Sequence, residues 1–198
     1  MDVVDDFEAG FGWIQDEFMR RCSHALVVGD GVWVVDPVND AGVEERLRAA
    51  GTPAGVIQLL DRHRRDCVEI AERLGVAHHV VPAQRFGPFE FLPISSKRRW
   101  QEVALWWPER RVLVCADALG TVDYFRAGGE RLGVHPVLRF KPPRQLGSLQ
   151  PGVILCGHGE GVLEGADAAL REALSTARRR IPRQIASAAG AWWASRSS

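Results

Sequence analysis

An α/β domain is the fold class this chain predicts, and three observations predict it. Apolar runs of strand length, bounded by glycine and proline, occupy the early part of the chain. Strand and helix patterns then alternate. The hydrophobic content, 46% of 198 residues, supplies a sizeable core for a single unit.

Each element follows from local chemistry. Ala25 to Val28 and Gly31 to Val35 are joined across Gly29-Asp30-Gly31, and the Asp-Gly step supplies the positive φ of a tight hairpin. Asp36-Pro37 ends the second strand, because proline has no N–H for the ladder. Residues 41–50 place Val43, Leu47 and Ala50 at helical spacing, and Gly51 closes that helix. A strand over 55–60 follows, then a helix over 67–74 ending at Gly75, then a strand from Ala77 to Val81 that stops at Pro82. Trp100 to Trp107 and Arg111 to Cys115 flank Pro108-Glu109-Arg110 and predict a second hairpin, with Trp106 and Trp107 on opposite faces. Val153 to Cys156 is a short strand. Ala166 to Arg180 carries Ala169, Leu170, Ala173, Leu174 and Ala177 on one helical face.

Composition excludes several classes. Lys plus Arg and Asp plus Glu both total 25, so no net charge directs the chain to nucleic acid. The apolar runs are too short to span a bilayer, and Asp2, Asp5 and Asp6 stand where a signal peptide carries positive charge, so the expectation is a cytoplasmic protein without a membrane partner. Cys22, Cys67, Cys115 and Cys156 form no CxxC pair and read as reduced, buried thiols. The chain divides into a domain over 1–181 and a helical tail over 182–198, begun by Pro182, whose stripe of Ile185, Ala188, Ala189, Trp192 and Trp193 is suited to packing on the domain or on a second copy in a homodimer.

Four segments carry a resemblance. After the strand ending at Leu60, the rhythm Asp61-x-His63-x-Arg65-Asp66 resembles the His-x-His-x-Asp-His of the metallo-β-lactamase superfamily. Gly31 to Pro37 is similar to the family's early strand with its aspartate-bearing turn. Arg111 to Leu119 resembles the strand ending in Gly-Asp-Ala-Leu, with Asp117 at the bridging aspartate. Val153 to Glu160 resembles the late strand ending in Gly-His-Gly, with His158 at the ligand position. Over residues 22–180 the resemblance implies a four-layer αββα sandwich with its site where strand-terminal loops converge.

The family's ligand set is incomplete here. The resemblance places Asp61 and His63 where two histidines stand, Arg65 at the aspartate and Asp66 at the next histidine; counting back from Trp106 puts Arg98 at a further histidine. Asp117 and His158 are retained. A guanidinium about 5 Å from a divalent cation is repelled by roughly 6–7 kcal/mol at an effective dielectric near 20. Two would oppose binding by about 13 kcal/mol, comparable to the roughly 10–16 kcal/mol of a good structural zinc site. Inward-pointing Arg65 and Arg98 would therefore displace the metal and pair with Asp61, Asp66 and Asp117. Simpler roles stand beside these: Asp61 and His63 as caps of the next helix, Asp117 as the N-cap of a turn, and the arginines of 62–65 and 98–99 as solvated surface.

Two functions stay open. One is a non-catalytic binding or structural module with a decayed metal site, no cofactor, and a basic cleft in which Arg65, Asp66 and Arg98 hold an anionic small molecule. The other is a hydrolase of an anionic ester, thioester or phosphoester, using zinc or another divalent cation on Asp61, His63, Asp117 and His158. The orientation of the two arginines separates them.

Overall fold

The computed structural model describes residues 1–16 and 19–185. Its strands are β1 (Asp2–Phe7), β2 (Gly10–Ile14), β3 (Cys22–Val28), β4 (Gly31–Val35), β5 (Thr52–Gln58), β6 (His78–Val80), β7 (Glu90–Lys97), β8 (Trp100–Trp107), β9 (Val112–Cys115), β10 (Leu119–Gly120), β11 (Gly133–Val134) and β12 (Val153–Cys156). The helices are α1 (Val43–Ala50), α2 (Cys67–Leu74) and α3 (Ala166–Thr176). Strands β1 to β6 form one sheet in sequence order, and a second runs β12-β9-β8-β7. Both mix pairings: β4-β5, β5-β6 and β9-β12 are parallel, whereas the remaining neighbours in these two sheets are antiparallel.

Strand periodicity sorts side chains into three apolar layers, which define an αββα sandwich. Val32 and Val34 of β4 join Val43, Leu47, Cys67 and Ile70 beneath α1 and α2. Trp33 and Val35, on the other face of β4, meet Leu105, Trp107, Val112 and Val114 between the sheets. Trp106, Leu113 and Cys115 face outward from the second sheet onto Ala169, Leu170 and Ala173 of α3. The alternation of Trp106 and Trp107 is thus the period of two along β8.

The expected hairpins are present, β3 with β4 and β8 with β9. Gly75 caps α2 with φ 69°, and all four cysteines are free and buried. Three expectations are corrected. Strands β1 and β2 lie where no strand was expected, because Asp2, Asp5 and Asp6 obscure the apolar alternation. Residues 93–99 are not a ligand-bearing loop: β7 pairs with β8 up to Lys97–Trp100, and Pro93 is tolerated because β7 is an edge strand with an irregular register there. Helix α3 stops at Thr176, not Arg180; a turn over 177–180 precedes helical residues 181–185, in keeping with the missing N–H of Pro182. Of the tail stripe only Ile185, 64% exposed, is within the described residues; Ala188, Ala189, Trp192 and Trp193 lie outside them. No described helix is long and apolar enough to cross a membrane.

One buried ion pair holds the segment between β10 and the first 3-10 turn (Pro136–Phe140). Arg139 and Glu130 are 0% and 1% exposed; the guanidinium donates to both Glu130 oxygens and to the Phe125 carbonyl. Arg180 also lies 3.3 Å from Glu130 Oε1, so Arg139→Met leaves the buried carboxylate one of its two cations and should destabilise the protein in urea unfolding by less than the about 3–5 kcal/mol of a fully orphaned charge, and Glu130→Gln/Arg139→Met should recover part of that loss. Equal stability of the wild-type and single-variant proteins would show that the pair contributes nothing.

Candidate functional site

Four strand ends meet at one edge of the sandwich. Asp36 follows β4, the loop 59–66 follows β5, Asp117 follows β9 and His158 follows β12. Asp36 organises the first two: Oδ1 accepts from the Leu59 N–H at 2.9 Å, and Oδ2 lies 3.0 Å from His63 Nδ1. With Nδ1 thus engaged, His63 presents Nε2 to Asp117 Oδ1 at 3.0 Å. His158 is fixed in the same manner. Its Nδ1 donates to the Met19 carbonyl at 2.8 Å, and Nε2 lies 3.2 Å from the same Asp117 oxygen. The rings sit edge to face at 5.4 Å, and Phe125 stacks on His158 at 5.8 Å. Gly157 is required beside them, since a Cβ there would come within 2.6 Å of the Ala116 carbonyl oxygen and 3.1 Å of His63 Cε1.

The Asp117 turn is braced from beneath. Buried Glu102 accepts on Oε1 from the N–H groups of Asp117 and Ala118, and on Oε2 from Trp100 Nε1. Arg62, half exposed, lies over the Trp100 ring and reaches Asp117 Oδ2 at 3.4 Å. Burial alone would raise the Asp117 pKa, but hydrogen bonds and charge from His158 and His63 hold it well below the usual carboxylate range. Burial and Arg65 depress His63, yet Asp36 and Asp117 outweigh them and leave its pKa above the ordinary value. Burial, opposed in part by the Asp117 charge, lowers nearby His135 to about 4.

Of the seven residues singled out from sequence, three converge. His63, Asp117 and His158 offer ligand atoms within 4.8 Å of one another. Asp61 is not in this group; its N–H donates to the Gln101 carbonyl, and its buried Oδ1 has no hydrogen-bond partner. Asp66 begins α2 and accepts from the Asn39 N–H at 2.6 Å. Arg98 does not pair with Asp117, because it is exposed in the β7-β8 turn, where the hairpin carries it away from the strand ends. Arg65 points inward, but not to a carboxylate. Its Nη1 donates to the Cys22 and Asp36 carbonyls at 2.5 and 2.8 Å, and its Nη2 to Gly157 at 2.8 Å. The guanidinium that touches Asp117 belongs to Arg62, one residue before His63. Sequence reading also missed the supporting roles of Glu102 and the Met19 carbonyl. A carboxylate alone among Val103, Ala104 and Leu105 was the available signal for Glu102.

No family model matches the chain, and no curated protein does. Solved structures resemble it. A fragment of a protein named diflavin flavoprotein A 5 from Nostoc sp. PCC 7120 aligns with TM-score 0.64 at 15% identity, covering 91% of this chain and 97% of that one. The DIM-1 metallo-β-lactamase exposed to ceftazidime aligns at 0.58 and 10%, covering 89% and 98%. The BLEG-1 B3 metallo-β-lactamase aligns at 0.58 and 14%, covering 81% and 95%.

Glu102 generates a pH test. Burial, reinforced by the Asp117 charge, raises its pKa from 4.5 to about 7. Its folded form holds the proton more tightly than the unfolded chain, so this contribution to stability is complete below about 4.5 and lost as pH rises through about 7. His63 contributes with the same sign near neutrality, and His135 with the opposite sign at lower pH. Chelator-treated wild type should therefore lose stability relative to Glu102→Gln across that window in urea titrations. A pH-independent difference would refute the assignment.

Proposed function

The chain has the metallo-β-lactamase fold, and on that scaffold we propose that it is a single-metal hydrolase of an anionic ester, thioester or phosphoester. One observation carries the proposal: His63 Nε2, Asp117 Oδ1 and His158 Nε2 converge while both Nδ1 atoms are engaged by groups behind them. Asp36 and the Met19 carbonyl thus serve as orienting partners of the kind that fix metal-binding histidines. The donor set fits a cation. Bonds of roughly 2.0–2.1 Å in tetrahedral array separate neighbouring donors by about 3.3 Å, close to the 3.0 and 3.2 Å between Asp117 Oδ1 and the two Nε2 atoms. Because His158 Nδ1 must carry hydrogen toward Met19, Nε2 meets the Asp117 carboxylate without repulsion only when it is protonated or holds a cation. A metal ion among the three donors takes the place of that proton.

Three protein ligands with a remaining position is the pattern of catalytic zinc. Such an ion would supply Lewis acidity and activate water near neutral pH. The chain's own residues do the rest. Arg62, on the exposed side of Asp117, is placed to hold a substrate's negative charge. A cleft lined by Met19, Arg20, Thr121, Val122, Asp123, Tyr124 and Arg126 adjoins the His158 partner; its two arginines are paired with Glu160 and Asp123. Phe125 and Trp100 limit water around the histidines and Arg62 respectively.

Arg65 favours a second reading. Its buried guanidinium is fixed positive charge beside the donors, as expected of a site that has lost its metal and keeps only a binding role. Metal analysis separates the two. The full chain should carry one more equivalent of zinc, iron or manganese than His63→Ala/His158→Ala protein, and Asp36→Asn should weaken the affinity of that ion by about 10–100-fold. Against aryl esters and phosphodiesters, Asp117→Asn should abolish metal-dependent turnover, whereas Arg62→Ala should raise KM about tenfold with kcat little changed. Equal metal content in the wild type and His63→Ala/His158→Ala protein purified without chelator, or metal bound there without turnover of any anionic ester, would leave the binding module as the function.

A further inference from the structure

A second group of donors lies on the opposite side of Arg65 and does not depend on the reading above. Asp5, Cys22 and His24 are buried, and their ligand atoms lie within 4.8 Å of one another. His24 Nε2 is 3.0 Å from the Cys156 carbonyl, which only accepts, so the hydrogen resides on Nε2 and Nδ1 is a bare lone pair. That Nδ1 is fully buried and has no hydrogen-bond partner. Asp5 Oδ2 lies 3.9 Å from it, too far for a hydrogen bond, and 3.8 Å from Cys22 Sγ. Asp5 Oδ1 is held separately by the Gly161 N–H at 2.7 Å. His24 Nδ1 therefore faces two further donors of metal-binding type with no partner of its own, while the Cys22 thiol makes only long contacts, donating to Asp5 Oδ2 at 3.8 Å and to the Ser23 carbonyl at 3.9 Å.

Two glycines keep the space beside them open. A Cβ on Gly12 would stand 3.0 Å from His24 Nδ1 and 3.3 Å from Asp5 Oδ2, and one on Gly161 would stand 3.1 Å from Asp5 Oδ1. Asp5 itself is held at φ 53°, inside an irregular stretch of β1, to aim its carboxylate inward. Left-handed backbone at a non-glycine residue is unfavourable and persists where surroundings over-determine it.

We propose that Asp5, Cys22 and His24 form a second, structural metal site for a divalent cation of the zinc class. Around such an ion, bonds of roughly 2.0–2.3 Å separate the donors by about 3.3–3.6 Å, so the 3.8 and 3.9 Å separations from Asp5 Oδ2 close by roughly 0.2–0.6 Å on binding. The thiolate selects a borderline-soft ion over magnesium or calcium. Binding releases the Cys22 thiol proton to solvent, and the thiolate and Asp5 carboxylate together balance the two charges of the cation. The three protein donors leave a fourth position for water, but with His24 and Asp5 side chains 1% and 3% exposed the site is closed to a substrate, which suits a structural ion joining β1 to β3.

Cobalt tests this site separately, because the His63, Asp117 and His158 group contains no sulfur. Full-length protein expressed in cobalt-supplemented minimal medium should show a thiolate-to-cobalt charge-transfer band in the near ultraviolet. The band should persist in His63→Ala/His158→Ala and vanish in Cys22→Ser. His24→Gln should also lose it while every cysteine remains. Wild-type protein without the band, or Cys22→Ser protein that retains it through Cys67, Cys115 or Cys156, would overturn the proposal. Loss of catalytic metal with the band intact would instead sink only the hydrolase reading.

Discussion

The Arg65 guanidinium is the interaction on which the functional edge depends. It donates to carbonyls of Cys22 on β3, Asp36 after β4 and Gly157 after β12, and so joins the two sheets at the point where their strand ends converge. A buried charge is tolerable only when its hydrogen-bonding capacity is used and opposite charge is near. The three carbonyls meet the first need at both Nη groups, leaving the buried Nε unpaired; Asp36 and Asp117 meet the second, Asp36 contributing more to holding the Arg65 proton against burial. Arg65 thereby performs the sheet-bridging that a cation at this edge could perform, without needing to be loaded.

This arrangement explains why the two donor groups remain distinct. Arg65 bonds the main chain of Cys22 and of Asp36, and Asp36 in turn orients His63. The His63 group lies at the half-open edge, with Arg62 at its solvent side, whereas the Asp5 group is enclosed between β1, β3 and the loop after β12. Fixed positive charge between two anionic clusters lowers the repulsion between them. It also disfavours a second cation at the open edge, so the geometry suits one ion there rather than two.

Much of the fold was legible because burial is layered. Val112 to Cys115 and Val153 to Cys156 read as strands from apolar content alone, and Gly51 and Gly75 marked helix ends through backbone conformations that other residues resist. That Asp117 and His158 would converge was legible because each follows an apolar strand, and strand ends are where this topology gathers polar groups. Arg98 was misplaced for a definite reason. Counting residues back from Trp106 assumes a loop reaching over the site, but β7 and β8 continue pairing to Lys97–Trp100 and carry the turn outward. Arg65 was rightly placed inside but wrongly partnered: its proximity to carboxylates in sequence says nothing of the carbonyls that β3, β4 and β12 present in space.

The backbone records the same organisation. Among the described residues seven non-glycines have positive φ, and five of them, Asp5, Met19, Arg20, Asp36 and Arg65, belong to the two donor groups or to the segment that orients them. Val81 and Arg111, the other two, are ordinary turn positions next to Pro82 and after Pro108-Glu109-Arg110. Each left-handed non-glycine residue is held at a cost of about 1–3 kcal/mol. Such strain persists only where hydrogen bonds fix the residue, and here they are identifiable: Gly161 N–H on Asp5, His158 Nδ1 on the Met19 carbonyl, Leu59 N–H and His63 on Asp36, and three carbonyls on Arg65. Aspartate, like asparagine, adopts this conformation more readily than most side chains, so Asp5 and Asp36 suit it on backbone grounds as well. Arg65 has no such preference, and there the three carbonyls that engage its guanidinium, rather than chain reversal, determine the conformation.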